Sequence, residues 1–292
     1  MKIEFYKQRT LSERFSATAE FIRENGKLYL KNIWYIGVPL ALLMGYFMHL
    51  YISHVFEHIN EYPLYNPYAA INWRIYSLLL IVSFLLTIFL TSFTGSILYN
   101  YTKDTLPENA GWVDLKSKLW PFMGKISLLM LLFFAIIFIP SAIFGLITGF
   151  LILRGMVVLA GIIAIIFTLI LFALIIVFLP FLMLIYYPIL FENASVWQSI
   201  KKSIRLSFKN WGSTFGTGLL AILLVTVCYY IFFFPYLFYI MFNMGDGGTW
   251  GYVLAMIVSL ILLILSPVVI VFMGFQYTSI VKKEEDKDFF QE

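Results

Sequence analysis

Charge is scarce in this chain, and so are the residues that most often carry soluble chemistry. Asp, Glu, Lys and Arg together make up 12% of the 292 residues, with three histidines and one cysteine. So little polar surface, at 61% hydrophobic residues and a mean hydropathy of +0.89, cannot clothe a water-soluble body of this size. Cys228 lies in an apolar run and can form no intramolecular disulfide, so cysteine usage says nothing of the compartment. No phosphate-binding loop is present, and no ionisable side chain is expected near the centre of any apolar run. Both absences argue against an ion-coupled transporter or a primary pump. No charged leader with a short hydrophobic core and a small-residue cleavage site opens the chain, so it is expected to stay whole in the bilayer.

Long apolar runs are abundant instead. Six of them, at 33–52, 75–99, 126–153, 155–190, 215–242 and 250–281, reach the roughly 20 residues needed to cross hydrocarbon. The expected fold is an all-α transmembrane bundle of six spans in a single integral membrane domain, with a charged tail at 282–292. Of the 20 Lys and Arg, seven fall in 1–32, four in 100–125, four in 192–211 and three in 282–292, leaving only Arg74 and Arg154 elsewhere. By the positive-inside rule those four segments, and both termini, are expected to be cytoplasmic. The net charge of +4 then reflects anchoring and no nucleic-acid partner. Arg154 sits where a tight external hairpin must turn between spans three and four. Pro180 and Pro188 should kink the long fourth run.

Three basic segments carry the pattern of a helix that lies in the headgroup plane and leads into a span. In 195–211, Ser195 and Gln198 have capping-box spacing, and Trp197, Ile200, Ile204, Phe208 and Trp211 form an apolar stripe. Lys201, Lys202, Arg205 and Lys209 flank it and are the candidate lipid-headgroup residues, for anionic lipids above all. Glu192 precedes that helix as a charge partner or a helix N-terminal anion. Residues 10–32, with Thr10 and Glu13, and 105–122, with Thr105 and Glu108 and a stripe of Trp112, Leu115, Leu119 and Phe122, show the same logic. A shift of 178 residues places Ile22-Arg23, Lys27-Leu28 and Leu30-Lys31-Asn32 over Ile200-Lys201, Arg205-Leu206 and Phe208-Lys209-Asn210. An internal repeat of interfacial helix plus hairpin is expected, threefold if the middle segment joins the series.

The stretch Pro188-Ile-Leu-Phe-Glu192, then Trp197-Gln-Ser-Ile-Lys-Lys-Ser-Ile-Arg-Leu-Ser and Asn210-Trp211, resembles the membrane-domain family attached to some bacterial glycerophosphoryl diester phosphodiesterases, which also has free-standing members. The resemblance implies a membrane module, and with it a plasma membrane of bacterial origin. The catalytic phosphodiesterase domain is absent, since neither its polar length nor its histidines are here.

Two further patterns invite function. His54-Val-Phe-Glu57-His58 has the H-x-x-E-H spacing of inverted zinc metallopeptidases, and with Glu61 it places two imidazoles and two carboxylates on one helix face. The alternative is a polar stripe at the external end of span one, with His49 nearby, and only Asp246 could add an external carboxylate. Ser83, Thr87, Thr91 and Gly95 recur at steps of four, a surface for helix packing or the lining of a polar pathway. Gly145-x-x-x-Gly149 and Gly212-x-x-x-Gly216 read as packing motifs too. Prolines in five spans (Pro39, Pro140, Pro180, Pro235, Pro267) suit bent helices of transporters and scaffolds alike, and the loop YPLYNPY at 62–68, with Trp73 and Tyr76, reads as an aromatic belt. The expected role is a non-enzymatic module that engages lipids or partner membrane proteins and needs no cofactor. A component of a lipid or small-molecule transporter is the alternative, and an external metallohydrolase a distant third.

Overall fold

The computed structural model describes residues 3–61, 72–107, 110–243 and 248–289, and the side chains of all of these but 58–61 and 287–289. Among them all the regular structure is helical: α1 (Leu11–Ile33), α2 (Gly37–Glu61), α3 (Trp73–Thr102), α4 (Trp112–Leu153), α5 (Val157–Leu184), α6 (Tyr187–Glu192), α7 (Val196–Lys209), α8 (Trp211–Phe242) and α9 (Gly248–Phe289). Six stretches are long and apolar enough to cross a membrane. The most apolar window of the span Val157–Glu192 has no buried residue at all, and Leu146, Leu153 and Val158 are each at least 75% exposed. Lipid must solvate such surfaces, and the protein is a multi-pass membrane protein.

Helix ends follow local chemistry. Thr10 and Ser195 each accept from the amide three residues on, and Glu13 and Gln198 accept from the cap amide in return. Asn72 caps α3 by accepting from the Ile75 amide. At the α4–α5 hairpin, Gly155 adopts φ +74° and the Met156 amide closes onto the Leu151 carbonyl, a left-handed helix end that suits glycine. Arg154 lies in this turn, as expected, with its guanidinium 5.2 Å from the centre of the Phe150 ring.

Several expected boundaries shift. Span one begins at Gly37, after a turn at 34–36, and its helix runs on to Glu61. His, Glu and Asn end an apolar run, but they do not end a helix. The fourth run divides after Leu184 into α5 and α6, with Pro188 in the first turn of α6, while Pro180 stays inside α5. The third basic segment forms no helix of its own. Thr105 is not a cap, because its hydroxyl donates to the Asn100 carbonyl; the helix starts at Trp112, where the Asp114 carboxylate accepts from the Gly111 amide at 2.8 Å, and continues unbroken to Leu153. Leu115, Leu119 and Phe122 do form one stripe, and it is wholly buried. Glu108, Asp246 and the loop 62–68 lie outside the described residues.

The chain groups into two compact units, Met1–Met123 with Thr217–Glu292, and Gly124–Gly216. In the first, α2 packs along α9, and a Cβ on Gly45 would stand 2.6 Å from Met256 Cα, so the two backbones meet there. Met48, Tyr236, Ile240, Ala255 and Val258 form a core beside that contact. The segment before α1 is built into the same unit: Phe5 stacks on Phe275 with centroids 4.6 Å apart, the Ile3 amide donates to the Tyr101 hydroxyl, and the Arg9 amide donates to Ser279 Oγ at 2.8 Å. Burial pushes the Arg9 and Arg14 guanidinium groups below their ordinary pKa. Arg14 offsets part of that cost by donating to Thr217 Oγ1 and to the Arg9 carbonyl. The second unit holds the α4–α5 hairpin, where Phe144 stacks on Phe167, together with α6 and α7.

Candidate functional site

The site grows out of the break between α5 and α6. Pro188 has no amide hydrogen, so the Leu184 carbonyl four residues earlier loses its helical partner. Ser203 Oγ, from α7, donates to it at 3.1 Å. Ser199 Oγ, one turn earlier on α7, donates to the Ile185 carbonyl. Ser199, Ser203, Ser207 and Leu206 are each at most 2% exposed, so a serine face spaced by four is what fastens α7 to the protein. At the end of α6, Asn193 turns left-handed at φ +54°, and Lys125 Nζ donates to its carbonyl, to its side-chain oxygen and to the Ala194 carbonyl at 2.8 to 3.0 Å. A cation at a helix C-terminus is favoured by the unpaired carbonyls there. Lys202 reaches back to both carboxylate oxygens of Glu192 at 2.7 Å. The expected charge-partner role of Glu192 is thereby filled, and Ser195 and Gln198 hold the box that starts α7.

The opposite face of α7 is apolar and outward. Trp197, Ile204 and Phe208 are 64%, 38% and 47% exposed, and Ile200 and Trp211 are half-buried. Trp211 Nε1 donates to the Val177 carbonyl, in the turn that precedes Pro180. The four basic candidates divide. Lys202 is committed to Glu192, whereas Lys201, Arg205 and Lys209 are exposed beside the apolar face, Lys201 with its ammonium 5.3 Å from the centre of the Trp197 ring. Sequence reasoning missed the serines and Lys125. The S-x-x-x-S-x-x-x-S spacing at 199–207 was a legible signal; the Lys125 contact, 68 residues away in sequence, was not.

Elsewhere, expected patterns come apart. Of the small-residue stripe, Ser83 is half-buried, Thr87 exposed, and Thr91 and Gly95 buried. Four-residue steps advance a helix by about 400°, so the row drifts around the axis by some 40° a step and leaves one face for another. Ser83 and Thr87 donate to the carbonyls four residues back. Gly145, Gly149, Gly212 and Gly216 have no neighbour within 4 Å of an added Cβ, so neither expected glycine motif packs closely; Gly45 and Gly251 do. His54 is half-buried and Glu57 exposed, His58 and Glu61 fall outside the described side chains, and no metal-competent cluster occurs among the described residues. His49, expected at a span end, sits in the middle of α2. It is buried against Tyr252, ring centroids 4.1 Å apart, with its Nδ1 3.3 Å from the Tyr236 hydroxyl, and a Cβ on Gly251 would run into its ring.

No family model, curated protein or solved structure matches this chain. Its own two halves offer the comparison that is left. Under the 178-residue shift, Phe21, Asn25, Tyr29 and Asn32 of α1 fall on Ser199, Ser203, Ser207 and Asn210, and all eight are buried. Asn32 Nδ2 donates to the Leu28 carbonyl and Asn210 Nδ2 to the Leu206 carbonyl, the same bond at aligned positions. Arg23, Lys27 and Lys31 fall on Lys201, Arg205 and Lys209, and all six are exposed. The twofold pattern is real at the level of faces, and the α4 segment, with no break before its span, does not follow it.

Proposed function

We propose that the chain is a non-enzymatic module of a bacterial plasma membrane that holds anionic lipid at the cytoplasmic leaflet through α7. The observation that carries this reading is the division of α7 into a docked serine face and an outward face of Trp197, Ile204 and Phe208 flanked by Lys201, Arg205 and Lys209. Aromatic residues seat such an amphipathic helix among headgroups, and the cations meet phosphates. Both termini are cytoplasmic in this reading, which follows the placement of the basic segments. The residues that resemble the phosphodiesterase-associated membrane family are those that build the α5–α6–α7 turn (Pro188, Glu192, Ser199, Lys202, Ser203), and that supports reading the chain as a membrane module of that kind. A transporter component is the second reading, favoured by buried His49 inside α2, where an ionisable side chain is costly.

Each exposed cation near an anionic surface contributes about 1 kcal/mol, so replacing Lys201, Arg205 and Lys209 together with Gln should weaken phosphatidylglycerol retention roughly 100-fold. Native mass spectrometry of the protein released from nanodiscs reads this directly. Lys202→Gln, which removes the 2.7 Å ion pair with Glu192, should lower thermal stability and leave lipid retention alone. Retention unchanged in the triple variant would remove the proposal's support.

A further inference from the structure

A cavity of about 130 Å³ lies between α1, α3 and α9. Its size is close to the ~150 Å³ of apolar cavities that stay dry and accept benzene. Ile22, Gly26 and Leu30 wall it on one side, Ile97 on a second, and Ile264 and Val268 on a third. A water there would need two to four polar partners. The polar groups at the wall are engaged: the Tyr29 hydroxyl donates to the Leu263 carbonyl, the Asn25 amide donates to the Phe21 carbonyl, and the buried Thr94 hydroxyl lies against the Tyr29 phenol. The occupant is therefore apolar. Leu30 and Ile264 at the rim are 56% and 61% exposed, so the cavity opens on surface that lipid covers. A Cβ built on Gly26 meets nothing within 4 Å; the missing side chain is part of the empty space.

The charge beside the rim selects the occupant. Arg23, Lys27 and Lys31 each follow a cavity residue, or its neighbour on the same helix row, by one position, are exposed, and enter no ion pair among the described residues. Glu24 on the same helix is engaged by the Tyr101 hydroxyl at 2.7 Å. We propose that this cavity takes the glycerol-proximal part of one acyl chain of an anionic bilayer phospholipid whose headgroup rests on Arg23, Lys27 and Lys31. The site rests on the lipid-engaging reading above, and names a second position for it, on α1 instead of α7.

The test uses the full chain in nanodiscs that contain phosphatidylglycerol or phosphatidylcholine carrying a diazirine close to the ester end of one acyl chain, with adducts mapped by peptide mass spectrometry. Adducts are expected on the peptides of Gly26, Ile264 and Val268, more with phosphatidylglycerol. Gly26→Leu, which fills the space and improves helix propensity, should reduce them roughly tenfold, the worth of about two buried methylenes, and Val268→Phe should do the same from α9. Arg23, Lys27 and Lys31 replaced together with Gln should erase the preference between the two lipids. The Lys201/Arg205/Lys209 variant should leave these adducts intact, which separates this site from α7. Adducts that persist in both filled variants, or that lie only elsewhere, would overturn the proposal, as would a cavity occupied by the side chain of a partner helix.

Discussion

At the residue scale, two hydroxyls do the same work at two prolines. Ser203 donates to the Leu184 carbonyl and Tyr29 to the Leu263 carbonyl, each four residues before a proline, Pro188 and Pro267. A carbonyl buried away from water and left without a donor costs free energy comparable to a lost hydrogen bond. Burial pushes the Tyr29 phenol above its ordinary pKa, so the donor stays protonated. Ser203→Ala and Tyr29→Phe should each cost about 1–3 kcal/mol, the usual penalty for a buried group left unpaired, read as a lowered thermal midpoint in detergent. Pro267→Ala should restore an amide to Leu263, so Tyr29→Phe should cost much less in that background; an equal cost in both would place the Tyr29 contribution elsewhere. The capping boxes at Thr10/Glu13 and Ser195/Gln198 were legible in the sequence because their code is local, three residues long. The Tyr29 and Ser203 bonds were not, since each joins helices whose pairing only the fold decides.

At the scale of elements, the sequence announced helices well and their contacts poorly. Apolar periodicity marks which residues avoid water, but inside lipid both the packed and the exposed faces are apolar, so the period no longer points to the core. That is why the α7 stripe faces outward and its serines inward, and why the glycine motifs at 145–149 and 212–216 turned out open while Gly45 makes the close approach. Small size lets two helices meet only where another helix is placed opposite. Gly45→Ala should therefore destabilise the protein by about 1–3 kcal/mol, because its Cβ collides with the Met256 backbone and no rotamer can relieve it. Gly145→Ala and Gly149→Ala, in open space, should stabilise by up to about 1 kcal/mol each through helix propensity. Thermal unfolding of the three variants side by side checks both signs, and a neutral Gly45→Ala would mean that α2 and α9 slide apart at little cost.

At the scale of the whole molecule, what was most legible was topology, because crossing hydrocarbon requires length and apolarity that composition reports directly, and because charge distribution does not depend on packing. Six spans were expected, and six helical stretches long and apolar enough to cross occur among the described residues, although α2 begins later and α4 and α9 reach 42 residues each, far longer than the ~20 that hydrocarbon requires. An even number of crossings returns the chain to the side on which it started, and 18 of 20 Lys and Arg fall in segments that such a count puts on that side. The orientation we propose, with both termini cytoplasmic, rests on the same distribution. In a Cys228→Ser background, Ser12→Cys and Lys283→Cys should resist a membrane-impermeant maleimide in intact cells and react after permeabilisation, whereas Arg154→Cys, in the α4–α5 turn, should react at once. Ser12 and Lys283 responding differently from each other would break the count of six. If instead all three responses are reversed together, the count survives and the basic segments face outward, which would take the anionic cytoplasmic leaflet away from α1 and α7 and with it the electrostatic half of the lipid reading.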